Sequence, residues 1–313
     1  METKRAVKQS IPKELRYSVR DFNNEFPNDA ACLEYVKEQR WPDGMAECAK
    51  CHKVTKHHRV GNRTAYACQF CGTHIYPLAG TIFEKSSTSL KTWFYAMYLM
   101  GSTRCGISAK QVQRETGVTY KTAWRIFKQV RSLLSDGELE LEGPTVEIDE
   151  MYYGGKRKGV HGRPMRGDKK KTPVVGIVQR RGRAVVRVMR DLRGKTVMRL
   201  IRNHVTPGST IYTDEYSIYD RVGRMQARDG KLARFNHRRI LHASGSYVNG
   251  DIHTNSIEGF WSLVKRGIGG VYHSVSPKYL QTYLDEYSFR YNRRHEGNQQ
   301  FKSILRRASQ RAV

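Results

Sequence analysis

Four cysteines in two pairs constrain this chain more than any other feature in it. Cys48 and Cys51 bracket "CAKC", Cys68 and Cys71 bracket "CQFC", and sixteen residues separate the pairs. Two residues between cysteines let both thiolates of a tight turn face one point. Two such knuckles supply the four sulfurs of one tetrahedral Zn2+ site, with Zn–S bonds of about 2.3 Å. A closed four-sulfur site has no open position, so this zinc is expected to staple a fold and not to catalyse. His52, His57, His58 and His74 are the nearby substitutes, although each alone reads better as a surface histidine. Cys32 and Cys105 have no partner at metal spacing and read as small buried apolar residues.

Charge narrows the partner. The 313 residues include 56 Lys and Arg against 29 Asp and Glu, a formal net charge of +27. A field of that sign attracts polyanions, and nucleic acid is the commonest. The rival is a membrane surface. The longest apolar run, "LKTWFYAMYLM" from Leu90 to Met100, contains a lysine and stops at Gly101. That is well short of the ~20 residues a spanning helix needs. The opening "METKRAVKQSIPKEL" has no apolar signal segment, and Glu2 and Glu14 argue against an organelle presequence. The expectation is a cytoplasmic protein with no membrane partner, in a reducing compartment that favours metal over disulfides.

The chain changes rhythm along its length. Residues 1–45 are polar with one helix candidate, Asp29 to Arg40, striped by Cys32, Leu33 and Val36. The cysteine region occupies 46–80, and a helix-rich stretch fills 81–136. "SDGELELEGPTVEIDEM", Ser135 to Met151, then has seven acids and no Lys or Arg, which sets a boundary near Gly137–Gly143. From 137 to 313 short β-branched runs take over: "TVEID", "TPVVGIVQR", "RAVVRVMR" and "STIYTD". "KTVMRLIRNHV" lies between the last two as a helix, with "NSIEGFWSLVKRGIGG" and "SPKYLQTYLDEYSFRYNRR" as later helices, the latter capped by Ser276 ahead of Pro277. The order β-β-β-α-β-α implies a mixed α/β layer.

Two segments carry chemistry. In "ISAKQVQRETGVTYKTAWRIFKQVRSLL", Ile107 to Leu134, two helical patterns flank Gly117, and Thr119 or Thr122 caps the second. Ala123, Ile126, Phe127 and Val130 face inward, which puts Lys121, Arg125, Lys128 and Arg131 outward, as on the recognition helix of a helix-turn-helix. A helical hairpin with a solvated basic face fits the same pattern.

The second segment is acidic. Asp149 and Asp214 are read at the ends of two strands and Glu258 early on a later helix. Such a trio suits two Mg2+ or Mn2+ ions about 3.5–4 Å apart in a phosphoryl-transfer site. Lys265, two helical turns past Glu258, can touch a bound phosphate, with Arg266 beside it. Glu147, Glu150, Glu215 and Asp251 compete for the same roles, and singly each acid is a weak signal. From Lys156 to Lys195 the chain carries fifteen Lys and Arg. Lys156, Arg157 and Lys158 open this basic run, a natural surface for tracking phosphates or simply a solvated one.

Together these residues resemble a known family, the DDE transposases of bacterial insertion sequences that carry an N-terminal zinc ribbon, the ISXO-like group. "RWPDG" at Arg40–Gly44, "LAGTIFEKSSTSLKTWFYAMYLM", "VEIDEMYYGGKRKG", "IYTDEYSIYD" and "HTNSIEGFWSLVKRGIGGVYHSVSPKYLQTYLDEYSFRYNRR" carry the likeness. The resemblance implies an RNase H-like core, a mixed sheet flanked by helices, preceded by the ribbon and a helix-turn-helix region. It implies metal binding by Asp149, Asp214 and Glu258, with Lys265 at the family's basic position. Asn255, one turn before Glu258, is a rival third contact. A carboxylate is the better hard-cation ligand, which leaves Asn255 to support the acid or touch substrate. His253 is a further candidate beside the site, or else a structural or surface histidine. Phe260 and Trp261 read as core packing. The implied activity is cleavage and strand transfer at the element's terminal inverted repeats, by a homodimer or larger assembly on DNA in the bacterial nucleoid. A zinc-ribbon regulator with a non-catalytic core and a nuclease without strand transfer are the alternatives.

Overall fold

A computed structural model of the chain describes residues 12–103, 105–154, 171–224, 235–240 and 254–310. They form two compact units. One runs to Leu133 and resumes at Arg293, and the other runs from Leu134 to Asn292. Lys156, Arg157, Lys158, His253 and Asp251 lie outside the described residues. Among the described residues no helix is long and apolar enough to cross a membrane.

The first unit begins with α1 (Val19–Glu25) and α2 (Asp29–Arg40). Ser18 and Asp21 cap α1 reciprocally, and the Asn28 side chain accepts from Ala31 N to start α2. Four short antiparallel strands follow among the described residues: β1 (Met45–Glu47), β2 (Val54–Arg59), β3 (Tyr66–Cys68) and β4 (His74–Ile75), in that spatial order. Then come α3 (Leu90–Ser102), α4 (Ala109–Thr116) and α5 (Tyr120–Ser132), capped by Ser89, Ser108 and Thr119 respectively. Gly117 ends α4 at φ 72°, a left-handed stop that costs glycine nothing. Cys32 is buried as expected, whereas Cys105 is exposed beyond the end of α3, where the chain has left its helix.

The second unit is built on a mixed sheet. Among the described residues its strands are β5 (Thr145–Tyr153), β6 (Thr172–Gln179), β7 (Ala184–Val188), β8 (Thr210–Thr213) and β9 (Asn236–Arg239), in the order β7-β6-β5-β8-β9. The first three are antiparallel neighbours; β8 joins β5 in parallel, and β9 joins β8 in parallel. α6 (Gly194–His204) precedes β8, while α7 (Asn255–Gly267), a π-helical turn at Ile268–Tyr272 and α8 (Pro277–Asn292) follow β9. β9 carries no strand signal in sequence, because "NHRR" has no apolar alternation; only its neighbours Phe235 and Ile240 are buried.

Alternation along the strands sorts two cores. Val146, Ile148, Val175 and Ile177 pack with Val197, Leu200 and Ile201 of α6. Val174, Val178 and Val186 pack on the other face with Ile257, Phe260, Trp261 and Val264 of α7 and Leu280 and Leu284 of α8. Each such fully buried aliphatic side chain contributes about 1.5–3 kcal/mol over its exposed state. Met151 and Tyr153 join the α7 side. The period of two therefore turns Glu147 and Asp149 toward α7 as well.

The last helix, α9 (Gln300–Ser309), belongs with the first unit and not with the sheet, where a domain running to 313 would put it. Phe301 explains the return. It is fully buried and within 5.6–6.1 Å, ring to ring, of Tyr17, Phe22, Phe26 and Tyr98. A Cβ on Gly101 would stand 2.8 Å from the Phe301 amide nitrogen, so α3 can meet α9 this closely only through glycine.

Candidate functional site

The two knuckles of the ribbon repeat one backbone pattern. His52 N donates to Cys48 O and Gly72 N to Cys68 O, at 2.9 and 3.0 Å. Cys48 N donates to Lys53 O and Cys68 N to Thr73 O, at 3.0 and 2.8 Å. The residue after each second cysteine takes positive φ, His52 at 54° and Gly72 at 70°. These turns bring all four sulfurs within 4.8 Å of one another, with Cys48 to Cys71 at 3.4 Å and Cys51 to Cys68 at 3.8 Å. A tetrahedron with 2.3 Å bonds has edges of about 3.8 Å, so the donor set fits Zn2+. The Cys71 thiol, beside the Thr73 hydroxyl at 3.3 Å, is pulled down to about 6 by hydrogen bonding to Thr73, which favours the thiolate a metal takes. No histidine belongs to the four-sulfur group. His57 is buried with Nδ1 on Thr55 O instead.

On the sheet, β5 and β8 align Glu147 with Tyr212. Two residues further along each chain come Asp149 and Asp214, the second just past the end of β8. Asp149 is mid-strand, not terminal as its sequence suggested. β5 continues to Tyr153 opposite Thr172, and Gly154, at φ 141°, is where it stops. Oxygens of Asp149, Glu150 and Asp214 lie within 4.8 Å of one another. Glu258, exposed on the first turns of α7, is outside that tight set, and its charge still raises Asp149.

Burial, the nearby Asp214 and Glu258 carboxylates, and only partial relief from hydrogen bonds push Asp149 up to about 6. Crowded, partly desolvated carboxylates of this kind are relieved by a cation, and all-oxygen donors suit a hard one such as Mg2+ or Mn2+. Each acid is also oriented. Trp261 Nε1 donates to Asp149 Oδ2 at 3.0 Å, Tyr216 N to Asp214 Oδ1 at 3.0 Å, and Thr254 Oγ1 to Glu258 Oε1 at 2.9 Å. Tyr219 OH donates to Glu150 Oε2 at 2.8 Å, and burial with that acid beside it raises the phenol well above its ordinary range. Lys265 and Arg266 are exposed near the end of α7, and Asn255 is exposed at its start.

Two contributors escaped the sequence reading. Trp261 is core, as expected, yet its indole N–H also reaches Asp149; its place three residues after Glu258, on the same helix face, was the available signal. In sequence Glu147 is only one of several competing acids. It is fully buried, turned toward α7 and hydrogen-bonded to the first turn of that helix.

On α5, Lys121, Arg125 and Lys128 are exposed, and Ala123, Ile126, Phe127 and Val130 are buried. Arg131 departs from the expected outward row. Only 4% exposed, its guanidinium lies 5.1 Å from the Phe127 ring centroid. It stands four residues past Phe127 and eight past Ala123, so the helical period itself carries it onto the packed side.

Comparison with known proteins bears on both sites. Residues 140–292 match the ISXO2-like transposase domain and residues 27–74 the transposase zinc-ribbon domain. The chain is 29% identical over 301 residues to an uncharacterized protein in transposable element ISH50 of Halobacterium salinarum, covering 90% of this chain and 98% of that one. It is 27% identical over 105 residues to an uncharacterized transposase-like protein of Haemophilus influenzae, covering 34% of this chain and 77% of that one. The likeness to a chain of the pre-cleavage Mos1 transpososome, at 10% identity and TM-score 0.26 over 66% of this chain and 76% of that one, is too slight to carry an argument. Its acid-bearing sheet domain and its cysteine ribbon alike thus match domains of insertion-sequence transposases, the former the ISXO2-like domain.

Proposed function

We propose that the protein binds the terminal inverted repeats of its own element, cuts a DNA strand there and joins the freed end to target DNA. The observation that carries the reading is the convergence of Asp149, Asp214 and the charge of Glu258 about the central strands β5 and β8, inside the matched transposase domain. The sheet order and its flanking helices suit an RNase H-like core. Two Mg2+ or Mn2+ ions held by Asp149, Asp214 and Glu258 would supply Lewis acidity at phosphorus and a more acidic attacking oxygen.

The residues of the chain bind and orient. Trp261, Thr254 and the Tyr216 amide fix the three carboxylates, so little reorganisation is left for the reaction itself. Lys265 and Arg266 steady the phosphate next to the acids. Water attacks a phosphodiester and frees a 3′-OH; that hydroxyl then attacks a target phosphodiester, forming one P–O bond as another breaks. Both are in-line displacements, so one site serves both. The ribbon, with Zn2+ on Cys48, Cys51, Cys68 and Cys71, and the exposed Lys121, Arg125 and Lys128 of a helix-turn-helix supply end recognition. Lys156, Arg157 and Lys158 extend the basic surface. Acting on two ends calls for at least a dimer on DNA, in the cytoplasm at the nucleoid.

The test is a strand-transfer assay with purified protein, DNA carrying the element's ends, a target plasmid and Mg2+ or Mn2+. Joined product from the natural protein, and none from Asp149→Asn or Glu258→Gln, is expected. Binding without cleavage under either metal would favour a regulator. Cleavage without joining would favour a nuclease. Cleavage that survives Glu258→Gln would move the third contact to Asn255 or Asp251.

A further inference from the structure

Glu147 is a carboxylate with 0% exposure in the interior of the sheet domain. A charge there is tolerated only when fully partnered, and its partners come from two other elements. Arg180 Nε, just beyond β6, donates to Oε1 at 2.7 Å. Ser256 N and Ile257 N, the second and third amides of α7, donate to Oε2 at 2.8 and 3.0 Å. The Arg180 guanidinium also lies 4.4 Å from the Tyr212 ring centroid on β8, which ties the pair to the strand that leads to Asp214.

The early amides of a helix have no partner within it, and the N-cap side chain ordinarily takes one of them. Thr254, the N-cap of α7, makes no such bond. Its hydroxyl is turned to Glu258 Oε1 instead. The capping of α7 is thus handed to a side chain of the sheet, and the local side chain is released to orient the acid. We propose that Glu147, matched by Arg180, is a positioning residue. It fixes the first turn of α7 to β5 and so sets the Glu258 carboxylate against Asp149 and Asp214.

The placement of these residues supports a role in registration and not merely in burial. Glu147 and Asp149 are two apart on one face of one strand, one holding the helix and the other a member of the acid cluster. Glu258 directly follows the two amides that Glu147 accepts, so a slip of that turn displaces it. A second anchor prevents rotation: Trp261, one turn further along α7, donates to Asp149 and lies so close over β6 that a Cβ on Gly176 would meet its ring at 2.7 Å. A carboxylate at a helix start is further favoured by the helix dipole.

The inference rests on the proposed acid site, and its test separates the two. Full-length natural protein, Glu147→Gln, Glu147→Asp and the neutralised pair Glu147→Gln/Arg180→Gln would be compared in three measurements. These are thermal unfolding, Mn2+ binding by calorimetry, and the Mn2+ dependence of strand transfer. The double variant leaves no unmatched buried charge and is expected to unfold close to the natural protein. Its Mn2+ affinity should nevertheless fall by about 10–100-fold, the usual effect of losing a partner that orients a metal site. Its half-saturating Mn2+ should rise in parallel, and excess Mn2+ should restore part of the rate. Glu147→Asp keeps the charge and shortens the reach, and is expected to lie between. Unchanged Mn2+ affinity and half-saturation in the double variant would overturn the proposal, leaving Glu147 as packing only. Weakened Mn2+ binding alongside a natural protein that joins no DNA would keep the positioning role and remove the transposition reading. A natural protein that binds no Mn2+ would remove the acid site and the positioning role with it.

Discussion

The cysteine cluster and the carboxylate cluster gather hard-won donor atoms by opposite routes. The four cysteines lie within two short knuckles whose backbone hydrogen bonds repeat almost donor for donor, and the whole set spans residues 48 to 71. The acids stand at 149, 214 and 258, on a central strand, past the end of a parallel neighbour and on a helix that follows a further strand. One site is nearly a property of local sequence; the other exists only once a sheet has formed. Local sites should couple metal to folding, and assembled sites should couple metal to activity. The two regions can be tested against each other on that difference.

The largest expected effect is on the ribbon. Structural zinc contributes on the order of 10–16 kcal/mol to small zinc-finger peptides at neutral pH, and β1 to β4 offer little core of their own. Cys68→Ser should lose zinc from a one-to-one stoichiometry by atomic absorption. Amide protection in the ribbon, read by hydrogen exchange, should vanish while the sheet unit keeps its own. A ribbon still protected without zinc would break the comparison at its first leg.

At the acid site the expectation reverses. Asp149→Asn should abolish joined product while leaving thermal stability in chelator unchanged or slightly higher. The natural carboxylate is raised by burial and by its neighbours, and the amide relieves that repulsion. A large loss of stability in chelator would mean that Asp149 is structural, like the cysteines. Trp261→Phe tests the next layer with a smaller effect. Phenylalanine keeps most of the core contact and removes the donor to Asp149 Oδ2, so metal affinity or activity should fall about 10–100-fold. An unchanged metal dependence would make the indole a packing group alone.

The same contrast explains what was legible in the sequence. Cysteine spacing specifies the ribbon because two intervening residues nearly dictate the turn. Strands β5 to β8 and helices α2 and α4 to α8 were readable from their periods, and Thr119, one of the two caps offered, does cap α5. Asp149 and Asp214 could be nominated as strand residues, but the mid-strand position of Asp149 depends on where Gly154 ends the hairpin. Glu147 was hidden because its partners lie 33 and 109 residues away. Arg131 follows the stripe of Ala123 and Phe127 at helical spacing, so the period pointed inward while its charge argued for the outer row. The return of α9 had no local signal: Phe301 finds its aromatic neighbours nearly three hundred residues upstream.

The smallest effect sharpens the comparison through pH. The Asp149 carboxyl sits near 6 in the folded protein, above its ordinary 3.8. A raised acid favours the folded state fully below its unfolded value, and that contribution is lost as pH rises through about 6. Metal-free protein should therefore give up some stability between pH 5 and 7 at this site, and a cation replacing the proton should return it. The gain in melting temperature from saturating Mg2+ is expected to be larger at pH 7.5 than at pH 5.0, by scanning fluorimetry. Asp149→Asn should flatten that difference. The ribbon should show a distinct profile, because zinc displaces protons from thiols, which ordinarily titrate near 8.5. Zinc should dissociate only at lower pH, as protons recapture the four sulfurs together. If both metals instead lost their hold over one shared pH range, the two sites would be answering to a common unfolding event and not to their separate donor chemistry.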